Sequence, residues 1–214
     1  MFQIKLFTFN PIQENTYVLY NENGHCLVID PGCYFDDEKD ELHSFIKSQN
    51  LKPTYLLNTH CHLDHVFGNK FIAEAFNIKL NAHRKEEAVL QMAPASGLMF
   101  NLPFDSYTGP IDFIEEGDII LLDADQLEAL HVPGHSPGSL CYYCKKQKFV
   151  IGGDTLFLNS IGRTDLPGGS HHDLVSHIKE KLFSLPDDVI VYPGHGPQTT
   201  IGAEKKNNPF LQDR

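Results

Sequence analysis

Long apolar runs are missing from this 214-residue chain. Nothing in it approaches the roughly 20 consecutive apolar residues of a membrane-spanning helix. The N-terminal alternation Phe2-Gln3-Ile4-Lys5-Leu6-Phe7-Thr8-Phe9 meets Asn10-Pro11 before the apolar core of a signal peptide can form. Positive charge is scarce as well. Lys and Arg number 17 against 28 Asp and Glu, a formal charge of -11, which argues against a general nucleic-acid surface and gives anionic membranes no basic patch. A disulfide framework is lacking: five cysteines are an odd number without regular spacing, which fits a reducing cytoplasm better than a secreted scaffold. Cys141 and Cys144 form a C-x-x-C, but within a strand a separation of three points the two sulfurs to opposite faces, so both are read as structural. There is no fixed-period repeat and no low-complexity linker, and a single domain over residues 1–214 is expected.

What the chain does have is concentrated in Thr59-His60-Cys61-His62-Leu63-Asp64-His65, directly after the apolar Tyr55-Leu56-Leu57. In extended backbone His60 and His62 point to one side, while Asp64 and His65 can open the helix that begins at Val66-Phe67-Gly68-Asn69. Two pairs of ligands are thus aimed in two directions. One ion would be crowded by all four, whereas two neighbouring ions could each take a pair and draw further ligands from elsewhere. An isolated His-x-His is usually no more than a polar loop. The complete pattern is not so easily explained, because burying several titratable groups together without a cation carries a desolvation cost.

The remainder of the chain supplies such ligands in similar settings. Asn15–Tyr20 and Cys26–Asp30 read as strands joined at Asn23-Gly24, a hairpin signal. A helix with Leu42, Phe45 and Ile46 on one face follows, then a short strand from Pro53 into the histidine stretch. Ile78-Lys79-Leu80 is expected as a strand, Arg84–Met92 as a short helix, and Ala93–Pro110 as a loop over the site. Strands at Ile119–Leu122 and Leu127–Val132 lead to Pro133-Gly134-His135-Ser136-Pro137-Gly138, which presents His135 from a constrained turn. Strands at Leu140–Cys144 and Lys148–Ile151 end in Gly152-Gly153-Asp154, where a carboxylate beside paired glycines could bridge two ions. Ser170 and Asp173 resemble a helix-capping pair, and the strand Val189–Tyr192 runs into Pro193-Gly194-His195-Gly196. Ligands at strand ends are the usual arrangement in α/β architecture. Two strand groups, each mixed with helices, predict an α/β four-layer αββα sandwich with the metal site at one edge of the two sheets. His25, His43, His83, His131, His171, His172 and His177 have no comparable constellation and are assigned structural roles.

The ordered set His60-x-His62-x-Asp64-His65, His135, Asp154 and His195 resembles the metallo-β-lactamase superfamily over almost the whole chain. Within it the chain is similar to single-domain glyoxalase II-like hydrolases, through Asn10-Pro11, Asn15-Thr16-Tyr17, the Gly134–Ser139 turn, Gly162-Arg163-Thr164-Asp165 and Pro193-Gly194-His195-Gly196-Pro197. The resemblance implies two divalent metal ions, zinc as the first choice with iron or manganese as options. One would be held by His60, His62 and His135 and the other by Asp64, His65 and His195, with Asp154 bridging. It implies an enzyme, a binuclear metallohydrolase in which a metal-bridging hydroxide attacks a small-molecule acyl thioester such as S-lactoylglutathione, with Asp64 and Asp154 named as catalytic. A persulfide dioxygenase with a single iron on His60, His135 and Asp154 is an alternative, as is a non-catalytic metal-binding module. Exported β-lactamases and nucleases fit less well. Phe67 stands where relatives often have glycine and is expected to narrow the pocket. Two-domain glyoxalase II proteins bind glutathione through cations of a C-terminal helical domain, whereas Lys205 and Lys206 here are expected on a solvated helix surface. Oligomeric state is not legible.

Overall fold

The computed structural model describes residues 1–212. The chain begins with β1 (Gln3–Phe9), β2 (Glu14–Tyr20) and β3 (His25–Ile29), an antiparallel meander. After α1 (Asp36–Ser48) come β4 (Lys52–Leu57), the short α2 (Leu63–Val66), α3 (Asn69–Phe76), β5 (Leu80–Ala82), α4 (Glu87–Met99) and β6 (Ile111–Phe113). Together the strands make a six-stranded sheet in the order β1-β2-β3-β4-β5-β6, parallel from β3 onward because helices cross between the strands.

The second half contains β7 (Ile119–Leu122), β8 (Asp125–His131), β9 (Leu140–Cys144) and β10 (Phe149–Gly153), followed by the hairpin β11 (Leu156–Phe157) and β12 (Ser160–Ile161). α5 (His171–His177) widens into a π-helical run at Ile178–Leu182, and β13 (Ile190–Pro193), β14 (Thr199–Thr200) and α6 (Ile201–Asn207) follow. The second sheet has the order β14-β13-β10-β9-β8-β7.

Period-two alternation places three apolar layers among these elements. Val18, Val28 and Leu56 face Leu42, Ile46 and Ile72 of the first helical layer. Tyr17, Leu19, Leu27 and Leu57 meet Leu127, Leu140, Tyr142 and Ile151 between the sheets. Val132, Val150 and Val191 face Leu174, Ile178 and Leu182 on the far side. The expected αββα sandwich is what forms, since each sheet has two apolar faces to cover. Truncating a fully buried leucine in any layer costs about 2–5 kcal/mol.

The two cysteines of the C-x-x-C separate as alternation requires, Cys144 between the sheets and Cys141 under the α5 layer. All five cysteines are unpaired and buried. Burial pushes the thiols of Cys26, Cys33 and Cys141 up to about 12, so almost no thiolate exists near neutral pH. Iodoacetamide at pH 8 is therefore expected to leave the folded protein unmodified and to label all five sites after denaturation. Mass spectrometry of intact protein reads the difference.

Several boundaries differ from expectation, each for a tertiary reason. The segment Ala93–Met99 is helical, continuing α4 through Pro94. Proline removes one helix donor, yet Leu90 and Ala93 are buried in the first core and carry the helix past it. α4 ends where Asn101 adopts a left-handed conformation and the Leu102 amide reaches back to Gly97. Asn77, also left-handed, ends α3 and returns the Ile78 amide to Ala73, so β5 starts at Leu80 rather than Ile78. Phe67 is buried against Tyr34 and Phe104, with ring centroids 4.8 Å from each, in the first core. It does not line the central cavity. Lys205 lies on α6 and bonds to Leu185 and Asp187.

Candidate metal centre

The seven residues singled out in the sequence converge at one edge of the sandwich. His60 and His62 follow β4, Asp64 and His65 sit in the first turn of α2, His135 is in the turn after β8, and Asp154 and His195 follow β10 and β13. His60 Nε2 lies 3.1 Å and His62 Nδ1 2.8 Å from His135 Nε2. A second cluster has Asp64 Oδ2 3.1 Å from His195 Nε2 and 3.7 Å from His65 Nε2. Each set of three ligand-capable atoms lies within 4.8 Å. Asp154 stands between them, with Oδ1 3.5 Å from His65 Nε2 and Oδ2 3.6 Å from both His135 Nε2 and His195 Nε2.

The far nitrogen of each ring decides which atom is offered to the centre. His135 Nδ1 donates to the Arg163 carbonyl at 2.7 Å, and His195 Nδ1 to the Gln13 carbonyl at 3.1 Å. His65 Nδ1 donates to Asp30 Oδ2 at 3.1 Å. The Thr59 hydroxyl donates to Asp30 Oδ2 at 2.5 Å, so its oxygen accepts from His60 Nδ1 at 3.1 Å. All four rings therefore turn Nε2 inward, as a lone pair wherever the ring is neutral. Two such lone pairs, on His60 and His135, face each other at 3.1 Å. His65 Nε2 and Asp154 Oδ1 are buried with no hydrogen-bond partner among the described residues. These features repel or go unsatisfied by themselves, and a cation between them relieves both. The set suits a borderline cation such as zinc, iron or manganese, since it contains imidazole and carboxylate without thiolate.

The framework around the centre explains stretches that the sequence marked without assigning. Asn10 Nδ2 donates to the carbonyls of Gly32 and Asp64. Asn15 Nδ2 donates to Pro193 and Gly196 carbonyls and the Tyr17 hydroxyl to Pro193, which clamps the turn carrying His195. Gly194 has to be glycine because an added Cβ would collide with Asp154 Oδ1.

Two positioning residues escaped sequence reasoning. Asp30 follows β3, and a carboxylate after an apolar strand is the same signal that marks Asp154. Fully buried Glu86 has no local signature, and only the fold shows its role. Its carboxylate accepts from the Cys61 amide at 2.7 Å and from the Ser136 hydroxyl and Gly138 amide at 2.6 Å each. It thereby ties the His60–His62 strand end to the His135 turn. We expect Glu86→Gln, which replaces an accepting oxygen with a donor, to weaken zinc affinity by roughly 10- to 100-fold, the usual scale for groups behind the ligands. Competition with a chromophoric chelator measures it, and an unchanged affinity would remove Glu86 from this role.

Electrostatics separate the two halves. Burial, reinforced by neighbouring histidines, holds His60 well below the usual imidazole range and His62 at about 3, and burial also lowers His135. These three rings are neutral at physiological pH. Burial also opposes charge on His65 and His195, but Asp64 and Asp154 outweigh it and raise both. Burial would raise Asp154, yet His65 and then His135 and His195 bring it below the usual carboxylate range. Metal entering the first cluster would therefore displace no imidazole proton, while metal entering the second would compete with protons and bind more weakly as pH falls. Calorimetric titration of metal-free protein in buffers of different ionisation enthalpy should show proton release with one equivalent and none with the other.

A cavity of about 420 Å³ opens over the centre, lined by His62, Asp64, His135, Asp154 and His195 among others. No helix among the described residues is long and apolar enough to cross a membrane.

Comparison with known proteins gives a consistent picture. The Metallo-beta-lactamase superfamily model matches residues 9–195. The chain is 40% identical over 202 residues to the probable metallo-hydrolase YqgX of Bacillus subtilis (strain 168), covering 94% of this chain and 93% of that protein. It is 35% identical over 213 residues to the hydroxyacylglutathione hydrolase GloC of Haemophilus influenzae, covering 99% of each. Among solved structures, the BLEG-1 B3 metallo-beta-lactamase superposes with a TM-score of 0.89 at 38% identity, over 99% of this chain and 100% of that one. TTHA1623 in a di-iron-bound form superposes with a TM-score of 0.87 at 36% identity, over 97% and 100%.

Proposed function

The chain belongs to the metallo-beta-lactamase superfamily, and from that premise we propose that it is a binuclear metallohydrolase of small acyl thioesters such as S-lactoylglutathione. The observation that carries this reading is the convergence of two three-residue clusters on one shared carboxylate beneath an open cavity. His60, His62 and His135 would hold one divalent ion, Asp64, His65 and His195 the other, and Asp154 both. Ions held there would supply Lewis-acid polarisation of the acyl carbonyl and an activated water at neutral pH.

The protein's own contribution is orientation. Asp30, Thr59, the Arg163 carbonyl and the Gln13 carbonyl each hold a proton on Nδ1 of one ring, keeping Nε2 directed inward. Asp154 remains ionised because His65 stabilises its charge against burial. Leu63, Val89 and Phe100 make the cavity wall apolar, which limits water around the reacting carbonyl. GloC, named a hydroxyacylglutathione hydrolase, matches over nearly its full length and supports the thioester class. The di-iron form of TTHA1623 supports two ions and keeps iron beside zinc as a candidate. Unpaired buried cysteines support a cytoplasmic location.

The test is thiol release from S-lactoylglutathione by metal-loaded protein, with and without prior chelation. Chelator-sensitive turnover is the expected result. Faster hydrolysis of a β-lactam than of any thioester would overturn the substrate class, and tight metal binding without any turnover would indicate a non-catalytic module. A single iron on His60, His135 and Asp154 is the competing arrangement, since His135 Nε2 lies 3.1 and 3.6 Å from the other two. It leaves the Asp64–His65–His195 cluster without a metal. Oxygen uptake with glutathione persulfide would decide for it.

A further inference from the structure

Between Ala88 and Phe104 the chain carries no charged residue, although much of this stretch is surface helix. Helices at a protein surface ordinarily turn charge to the water. α4 and the residue after it instead leave Met92 49% and Phe100 57% exposed, beside Leu98 and Met99 at 71% and 85%. Met92 and Phe100 line the cavity over the candidate metal centre, together with Val89 and Ala93 of the same helix and Leu63 and Leu166 from other segments. An exposed apolar strip continuous with a reaction cavity is a place where a ligand can be covered.

The polar side of the cavity is equally informative. The one Lys or Arg among the described lining residues is Arg163, and Asp165 already engages that guanidinium through Nε and Nη2 at 2.7 and 2.8 Å. Lys205 and Lys206 do not line the cavity, and Lys205 is paired with Asp187. Beyond the metal ions themselves, a strongly anionic thiol carrier would find little uncompensated positive charge on lysine or arginine side chains here. The apolar wall is the larger recognition surface.

We propose that the preferred substrate is the thioester of a medium-length apolar acyl chain lying along α4, in place of a short hydroxyacyl group. This rests on the thioester-hydrolase reading above. In the reaction a water oxygen bonds to the acyl carbon, the C–S bond breaks, the departing sulfur takes up one of the water's protons and the other passes to solvent, giving carboxylate and free thiol. Hydrophobic transfer favours each covered methylene by about fourfold, so a few methylenes separate the two substrate types clearly.

The experiment compares kcat/KM for hexanoylglutathione and lactoylglutathione in metal-loaded protein. Alongside it, calorimetry measures the affinities of the non-hydrolysable S-hexylglutathione and S-methylglutathione. Both comparisons are repeated in Met92→Ser and Phe100→Ser. Expected are a preference of at least roughly tenfold for hexanoyl and for S-hexyl, and a narrowing of both ratios by about threefold or more in the variants. Turnover of both thioesters without preference, with S-hexyl bound no tighter, overturns this proposal and leaves the hydrolase reading standing. Absence of turnover with either thioester overturns both. If the variants leave the ratios unchanged but lower the sedimenting mass of the protein, the strip is covered by a second copy of the chain and the proposal fails.

Discussion

Replacing Asp154 by alanine is expected to lower chelator-sensitive thioester turnover by roughly 10²- to 10³-fold, the scale of losing one preorganised electrostatic contact in an active site. Asp154 lies within 3.6 Å of residues from both candidate clusters. Its Oδ1 is buried without a hydrogen-bond partner among the described residues, and its carboxyl is held below the usual range. The variant should also bind less metal, and elemental analysis would show whether one equivalent or both are lost. Loss of a single equivalent would mean that each cluster can hold an ion independently. Turnover within about threefold of the parent, with metal content unchanged, would contradict a bridging role. A circular-dichroism melt keeps a folding defect from being mistaken for a catalytic one.

The second large effect is expected at Asp30, where stability and ring orientation can be pulled apart. Its buried carboxylate accepts from the Thr59 amide at 2.7 Å, the Thr59 hydroxyl at 2.5 Å, the Asn58 side chain at 3.1 Å and His65 Nδ1 at 3.1 Å. Its backbone is left-handed at φ 49, a conformation that Asp tolerates better than most residues. Asp30→Ala leaves several buried donors unmatched and should cost about 3–5 kcal/mol, read from the urea midpoint. Asp30→Asn preserves shape but offers N–H to His65 Nδ1. The ring proton then moves to Nε2, the atom that faces Asp154 and Asp64. That variant should stay largely folded while metal affinity at the second cluster falls by roughly 10- to 100-fold. Equal losses of stability in the two variants, or normal metal binding in Asp30→Asn, would show that Asp30 acts only as a structural anchor.

The candidate ligands were legible because their chemistry is local. Four metal-capable side chains within His60–His65 follow one apolar strand, and His135, Asp154 and His195 each follow a strand at a glycine turn. Period-two burial made the strands readable, and the placement of Cys141 and Cys144 on opposite faces follows from the same arithmetic. Where reading failed, long-range packing had overruled local preference. Residues 93–110 read as a loop from the sequence, yet burial of Leu90 and Ala93 extends α4 beyond Pro94. Phe67 argued for a narrowed pocket, yet Tyr34 and Phe104 draw it into the core.

By itself the sequence determined the residue types available for chemistry, the strand ends that carry them and the layered α/β architecture, since all of these depend on neighbours within a few positions. Only the tertiary structure decided how they are used. It brought Asp154 between two clusters whose members come from widely separated parts of the chain, chose the inward nitrogen of each ring through Asp30, Thr59, Arg163 and Gln13, and set Glu86 between two turns 75 residues apart at His60 and His135. It also laid an uncharged helix along the cavity. Such relations rest on distances across the fold, and distance in space is not encoded in any short stretch of the chain.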